Sequence, residues 1–91
     1  MATLFVSHRV EDFDAWKRVY DTVGDMQRAA GVTEQAVFRS EGDPNLVLIL
    51  HRFATLEQAH AFVDSNPDLM GAMEKGGVVA STLTTEFYQD A

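Results

Sequence analysis

The longest apolar stretch of the chain is Leu46-Val-Leu-Ile-Leu50, which is followed by His51, Arg52 and Phe53. Five consecutive aliphatic residues leave a strand without a polar side, so a strand over residues 46–53 must be covered on both faces. Residues 2–10 show a related pattern, because apolar side chains occur in both of their alternating sets of positions. Both segments are therefore predicted to be central strands of a sheet.

Helices are predicted in two regions. Apolar residues at three- and four-residue spacing predict a helix over residues 12–30, with Asp12 as its N-cap. A capping box, Thr55 to Gln58, precedes a helix that reaches about residue 65. Asn66-Pro67 then begins a further helix over residues 67–75.

Two more strands complete the pattern. Residues 32–40 are more polar and predict an edge strand, and residues 78–88 are rich in β-branched side chains. The turn-forming residues 41–45 join the second strand to the third as a hairpin. The order is β-α-β-β-α-β.

This order predicts an α+β, ferredoxin-like fold: a four-stranded antiparallel sheet in the order 4-1-3-2, with the helices on one face. Strands one and three are then the central pair, and we expect them to run parallel. The sheet face away from the helices is apolar on these strands, so a second copy should cover it and form a homodimer. Arg52 lies on that face, where an interface ion pair is expected.

Composition narrows the class of protein. The chain has 91 residues, which correspond to one domain over residues 1–91. It has no cysteine, which excludes disulfides and thiolate chemistry and fits a cytoplasmic protein. The net charge of −7 argues against nucleic-acid binding. Neither a signal peptide nor an apolar run of membrane-spanning length is found, so we expect no membrane partner.

The candidate chemistry lies with two histidines. If Val10 and Phe53 face the helices that they precede, then His8 and His51 share the helix-facing side of the sheet. In the parallel arrangement they would lie close together near the carboxyl ends of adjacent strands, where pockets collect. Imidazole exchanges protons near neutral pH, so both are candidate catalytic acid–base groups. The alternative is that each is a buried neutral histidine with a structural role.

Other side chains suit the wall of such a pocket. Trp16 and Tyr20 should face it from the first helix, and their polar atoms suit a flat ligand that is small and hydrophobic or aromatic. We expect substrate contacts from the later helices as well, at His60, Phe62 and Met73. The three histidines lack metal-binding spacing, so no metal and no cofactor are predicted.

Two stretches resemble a known group of proteins. They are VSHRVEDFDAWK at residues 6–17 and LHRFATLEQAHAF at residues 50–62, the latter continuing through Ser65-Asn66-Pro67-Asp68-Leu69-Met70 to Gly77-Val78. With the length and element order, they make the chain similar to the dimeric α/β-barrel superfamily. The resemblance is greatest to its small single-domain members of the antibiotic biosynthesis monooxygenase-like and polyketide cyclase-like kind. It implies a dimer with a pocket between helices and sheet in each subunit, where family enzymes act on polycyclic aromatic or quinol-like compounds, often without metal or flavin.

Three functions follow as hypotheses. The first is a cofactor-independent monooxygenase or cyclase that acts on an aromatic or enolisable compound, with His8 as acid–base and His51 as its partner or as a carbonyl polariser. The second is a non-catalytic binding or accessory protein that uses the same pocket. The third is a metal-dependent lyase or oxygenase.

Overall fold

The computed structural model describes all residues from Met1 to Ala91. Four strands form one sheet, and four helices connect them. The elements are β1 (Ala2–Arg9), α1 (Phe13–Tyr20), α2 (Gly24–Ala29), β2 (Glu34–Arg39), β3 (Leu46–Phe53), α3 (Leu56–Asp64), α4 (Pro67–Lys75) and β4 (Thr84–Gln89). None of these helices is long and apolar enough to span a bilayer.

The sheet has the order β2-β3-β1-β4, as the sequence predicts. The expectation that β1 and β3 run parallel is wrong, because all three strand pairs are antiparallel. The β2–β3 hairpin explains the direction. The crossover through α1 and α2 makes β2 parallel to β1, and β3 turns back through the hairpin to lie between them. It therefore runs opposite to both neighbours.

The single helix predicted over residues 12–30 is broken into α1 and α2. The segment between them is Asp21-Thr22-Val23, and Gly24 begins α2. Two β-branched residues and a glycine are poor helix formers. The Thr22 hydroxyl also donates to the Val19 carbonyl at 2.6 Å, an alternative to regular helix geometry.

The last strand is shorter than predicted. Residues 78–83 do not join the ladder, apart from a single bridge between Val10 and Val78. A 3₁₀ turn occupies Ala80–Thr82. There the Thr82 hydroxyl accepts from the Arg9 amide at 2.8 Å and donates to the Val79 carbonyl at 2.6 Å. These side-chain bonds replace strand pairing.

Three helix starts are capped as predicted. Asp12 accepts from the Ala15 amide at 2.9 Å, Thr55 from the Gln58 amide at 3.2 Å, and Asn66 from the Leu69 amide at 3.3 Å. Each such cap contributes about 1 kcal/mol. The return bond of the predicted capping box is not formed, because the Gln58 amide lies beside Gly31 instead.

The core lies between the helices and one face of the sheet. The helix-facing residues of the central strands are all buried, which confirms the predicted side-chain alternation. They are Leu4, Val6, His8, Val10, Val47, Ile49, His51 and Phe53. The opposite face of the sheet, here called the open face, carries large apolar side chains that stay exposed. Phe38, Leu48 and Tyr88 are 50%, 39% and 53% exposed.

Candidate functional site

A cavity of about 260 Å³ lies between the sheet and the helices. Thirteen of its seventeen lining residues are hydrophobic. They come from every helix except the 3₁₀ turn, and from β1, β3 and β4. The lining residues are Val6, His8, Trp16, Val19, Tyr20, Val23, Gln27, Ile49, His51, Phe62, Val63, Leu69, Met70, Ala72, Met73, Leu83 and Thr85.

His8 and His51 both line this cavity, but at opposite ends. His8 is opposite Val47 in the β1–β3 register, and His51 is opposite Leu4. His51 is therefore four residues further along β3 than the partner of His8, which corresponds to about 13 Å. The expectation that the two lie close together at neighbouring carboxyl ends is wrong, because the strands are antiparallel. The Val6–Ile49 pair lies between them.

His8 occupies the end of the cavity nearest the start of β3. Its side chain is 1% exposed, and its Nδ1 is buried without a hydrogen-bond partner. The Trp16 ring packs edge-to-face against it, with centroids 5.7 Å apart. Burial lowers the pKa of His8, although the backbone of His8 and Arg9 opposes the shift in part. At neutral pH the side chain is therefore an uncharged imidazole facing apolar surroundings.

His51 lies at the other end, in a more polar setting. Its Nε2 is 3.4 Å from the Tyr20 hydroxyl and 3.5 Å from the Gln27 side-chain nitrogen, and its Nδ1 is buried without a partner. Phe62 packs on the ring at a centroid distance of 5.1 Å. Burial lowers the pKa of His51 to about 4. His51 is therefore a weak base that can donate or accept a hydrogen bond.

Trp16 and Tyr20 form the aromatic wall that joins the two histidines. Their rings stack at 5.0 Å, and Tyr20 in turn lies 6.4 Å from the His51 ring. Tyr20 donates its hydroxyl proton to the side-chain carbonyl of Gln35 at 2.8 Å. Burial raises the pKa of Tyr20, while a side-chain hydrogen bond to Gln27 opposes this rise. Both residues line the cavity from α1, as the sequence suggests.

Phe62 and Met73 also line the cavity. Phe62 is 2% exposed and joins His51 to the core through its contact with Phe53, at a centroid distance of 5.5 Å. Met73 and Met70 reach the cavity from α4, a helix with no buried residue. Met70 is 67% exposed, so it marks the rim on this side.

His60 is not at the cavity, which corrects the expectation that it faces the pocket from α3. It lies on the exposed side of that helix, and its ring stacks on Phe87 with centroids 3.9 Å apart. The buried positions of α3 are Ala59 and Phe62 instead. Helical geometry explains the difference, because neighbouring positions are rotated by about 100°.

The structure adds two polar residues to the site that sequence reasoning missed. Gln27 is 5% exposed on α2, and Thr85 contributes from β4 beside Val6. A signal for Gln27 was available. Its position continues the spacing of Trp16, Tyr20 and Val23, so it is a polar residue on an apolar stripe.

The arrangement suits hydrogen bonding and proton transfer to a largely apolar ligand. No group of three histidine, aspartate or glutamate side chains converges anywhere in the structure. The geometry thus gives no support to the metal-dependent hypothesis. Two uncharged imidazoles, a phenol, an amide and the Thr85 hydroxyl are the main polar groups that a ligand can meet.

Comparison with known proteins places the chain by fold. No family model matches the sequence, and no curated protein matches it. Several solved structures do match. A Bordetella bronchiseptica protein, provisionally described as an antibiotic biosynthesis monooxygenase, is 12% identical with a TM-score of 0.81, over 99% of this chain and 96% of that chain. SnoaB of Streptomyces nogalater, a cofactor-independent oxygenase, is 10% identical with a TM-score of 0.74, over 99% and 92%.

A third structure comes from Deinococcus radiodurans and has the same provisional description as the Bordetella protein. It is 14% identical with a TM-score of 0.68, over 100% of this chain and 93% of that chain. These likenesses confirm the ferredoxin-like α+β fold and the resemblance to antibiotic biosynthesis monooxygenase-like proteins at the level of fold. At such low identity they carry no activity over to this chain.

Proposed function

We propose that the chain is a small-molecule enzyme of the antibiotic biosynthesis monooxygenase or cyclase type, acting on an aromatic or enolisable compound without a cofactor. The observation that carries the proposal is the pair of buried, uncharged imidazoles that face one apolar cavity. Thirteen of its seventeen lining residues are hydrophobic, so a bound compound meets few polar groups besides the two rings, Tyr20, Gln27 and Thr85. That setting favours proton transfer over hydrolysis.

The two histidines have different roles in this proposal. They lie too far apart to act on one atom, so His51 is not the proton-transfer partner of His8. His8 is the acid–base group, because its Nδ1 is free of competing hydrogen bonds. His51 has a pKa of about 4, which makes it a poor base and a better hydrogen-bonding group for a carbonyl oxygen. Trp16, Tyr20, Phe62 and Met73 hold the flat part of the compound.

The chemistry needs only the substrate and dioxygen. His8 removes a proton from a ring carbon opposite the carbonyl carbon and conjugated with it, as the methylene of anthrone is. The oxygen of the resulting electron-rich enolate then lies towards His51, and the enolate reacts with dioxygen. For a methylene substrate, one oxygen atom ends in the new carbonyl group, and the other leaves as water with the two hydrogens. A cyclase would use the same enolate to attack a carbonyl carbon within the substrate.

Deuterium exchange tests the proton-transfer step alone. Anthrone has exchangeable methylene hydrogens on the ring carbon opposite its carbonyl, and their exchange in D₂O under argon is followed by NMR. We expect the wild type to accelerate it and His8→Gln to remove at least 90% of the acceleration, in the range of 10²–10⁴-fold contributions of a general base. His60→Gln is the matched control, since His60 lies outside the cavity. Acceleration that survives in His8→Gln would contradict the role of His8.

Dioxygen uptake with anthrone then tests the oxygenase step. Anthrone carries an acidic methylene, and its oxidation to anthraquinone consumes one dioxygen for each molecule. Uptake that depends on both His8 and His51 supports the monooxygenase. Exchange without uptake would support a cyclase or isomerase instead.

A binding or accessory protein is the second candidate, and the strongly apolar lining is the observation that favours it. Such a protein would hold its ligand without turning it over. A purified sample that retains a compound, with that compound unaltered after long incubation in air, would favour this candidate over the enzyme.

We also propose that the chain forms a homodimer through the open face. Phe38, Leu48 and Tyr88 are exposed there at the middle and edges of the sheet. The expected interface ion pair of Arg52 is formed within the chain instead, because its guanidinium donates to both Asp90 carboxylate oxygens at 3.0 Å and to the Thr3 hydroxyl at 2.6 Å. A second copy can therefore cover this face without burying an unpaired arginine.

A further inference from the structure

Gln27 is the one side-chain amide in the cavity wall. It is 5% exposed, and its position on α2 is held by its own backbone carbonyl, which accepts from the amides of Ala30 and Val32 at 3.1 and 3.0 Å. A buried polar side chain in an otherwise apolar lining loses its water and needs a partner.

The amide of Gln27 uses little of its hydrogen-bonding capacity. It has two N–H donors and a carbonyl oxygen with two lone pairs. Its nitrogen lies 3.5 Å from His51 Nε2, which is long for a hydrogen bond, and its other polar neighbour is the Tyr20 hydroxyl, whose pKa it helps to lower. The carbonyl oxygen makes no bond in the structure.

Whether the contact between Gln27 and His51 is a hydrogen bond depends on which ring nitrogen of His51 carries the proton. Tyr20 gives its only proton to Gln35, so its oxygen faces His51 as an acceptor. A proton on His51 Nε2 is met by this oxygen at 3.4 Å, whereas a proton on Nδ1 would be buried with no acceptor. The surroundings therefore favour the Nε2–H form of the ring.

With Nε2 acting as a donor, the Tyr20 oxygen is the one acceptor near the amide, and it can accept at most one of the two Gln27 N–H groups. The result does not depend on which way the amide is turned. If its carbonyl oxygen faces His51, that oxygen accepts the Nε2 proton, and at least one N–H group still lacks a partner. In either orientation, an unused donor remains at the His51 end of the cavity.

We propose that Gln27 binds the oxygen atom of the cavity's ligand, donating one or both N–H groups to a carbonyl or enolate oxygen beside His51. This inference rests on the proposed function, which supplies the class of ligand. It adds the orientation of that ligand in the cavity. The oxygen lies at the Gln27 end, and the flat apolar part extends across the Val6–Ile49 pair. Donors placed at the point where an enolate oxygen develops also stabilise that charge.

A smaller hollow of about 170 Å³ also borders Gln27, on the side of β2, and is lined by polar residues such as Thr33 and Gln35. Water in that hollow is the competing partner for the amide. The two explanations differ in one respect, because water in the hollow would leave Gln27 without influence on which compounds the cavity binds.

The test compares two ligands that differ by one oxygen. 1-Tetralone carries a carbonyl acceptor, and tetralin has the same carbon skeleton without it. Trp16 is the only tryptophan and lines the cavity, so its single indole N–H signal reports binding of either compound. Dissociation constants from NMR titrations give the preference of each protein for the ketone over the hydrocarbon.

We expect Gln27→Met to reduce that preference about five- to tenfold, the size of one hydrogen bond, while its affinity for tetralin is kept or improved. Gln27→Leu should behave in the same way and serves if the methionine variant folds poorly. Gln89→Met is the control, because Gln89 is exposed at the end of β4, away from the cavity.

An equal loss for both compounds, an unchanged preference, or no binding of either compound to the wild type would each overturn the inference. The result is independent of turnover. A protein that shows the preference but no His8-dependent deuterium exchange would keep the role of Gln27 and contradict the proposed acid–base function.

Discussion

His51 links the site to stability at the scale of a single residue. Burial lowers its pKa to about 4, from 6.5 in an unfolded chain. Between these two values the unfolded chain binds a proton that the folded chain does not. Stability is therefore fully present above about pH 6.5 and falls as the pH drops towards 4, by about 3 kcal/mol in all. His8 contributes in the same direction, because its pKa is lowered too.

Denaturant unfolding at pH 7 and at pH 4.5 measures this difference. We expect His51→Gln to lose most of the extra pH dependence of the free energy of unfolding. Ile49→Val is the control, because it removes core volume beside His51 but no titrating group, so its stability should be lower by a similar amount at both pH values. A His51→Gln variant with the wild-type pH dependence would contradict the burial of an uncharged ring.

Tyr20→Phe tests the hydrogen-bond order around His51. Without the hydroxyl, a proton on Nε2 loses the acceptor that favours it, and the two ring forms become closer in energy. ¹⁵N NMR of the imidazole distinguishes the two forms by the shift of each nitrogen. We expect a mainly Nε2–H ring in the wild type and a larger Nδ1–H fraction in Tyr20→Phe. An Nδ1–H ring in the wild type would show that Gln27 donates to His51 instead.

Which residues face the cavity was largely predictable at this scale. Alternation along the strands placed His8 and His51 on the helix-facing side, and helical spacing placed Trp16 and Tyr20 above them. The separation of the histidines was not predictable from alternation, since it depends on strand direction and register. Gln27 was missed because a lone polar residue on an apolar stripe is ambiguous until its partners are known.

At the scale of elements, Gly71 within α4 and Gly76 directly after it have opposite surroundings. A Cβ added at Gly71 would meet nothing within 4 Å, whereas one at Gly76 would lie 3.0 Å from Trp16 Cδ1 and 3.2 Å from the Ala72 carbonyl oxygen. We expect Gly71→Ala to stabilise the protein by about 0.5–1 kcal/mol, because alanine is the better helix former. Gly76→Ala should destabilise it by about 1–3 kcal/mol through overpacking.

Thermal and denaturant unfolding give both values, and the Trp16 indole signal shows whether the ring has moved. The movement is expected only in Gly76→Ala. Equal effects of the two substitutions would mean that the end of α4 does not rest against Trp16.

Element boundaries followed the sequence where the signals were local. The strand at residues 46–53 and the helix at 67–75 match their predicted ranges, since an apolar run and an Asn-Pro start define them. The break in the helix after Tyr20 and the late start of β4 were not predicted from the sequence. In both places threonine hydroxyls bond to nearby backbone groups, at Thr22 and Thr82, and remove residues from the predicted helix or ladder.

For the whole molecule, Leu48→Glu tests the proposed dimer. Leu48 is 39% exposed near the middle of the open face, so a charge there is tolerated by the monomer but would be buried between two copies. We expect a dimer for the wild type and a folded monomer for the variant, measured by sedimentation over a range of concentrations. Met70→Glu is the control, because Met70 is more exposed but lies on the helical side. A monomeric wild type would contradict the proposal.

The overall architecture was predictable because two signals indicate the same topology. These are the order of the elements and the two strands with apolar side chains on both faces. The pairing of two copies was also suggested by the sequence, through the apolar residues on the second face of the central strands. The cavity itself was predictable only in outline. Its shape depends on how α2 and α4 pack after their breaks, and these angles come from side-chain contacts that no local pattern contains.

The register of β1 and β3 has one more consequence. Val6 and Ile49 are opposite each other, and each is followed two residues later by a histidine, in opposite directions. A half-turn about an axis through this pair exchanges His8 with His51, so the floor of the cavity has a local twofold pseudo-symmetry. A flat ligand that turned end over end would meet an imidazole at each end again. The helices break this equivalence, with Gln27 at one end only. In the proposed enzyme, the amide would therefore decide which of the two end-over-end orientations a ligand takes, and with it which of two isomeric products forms.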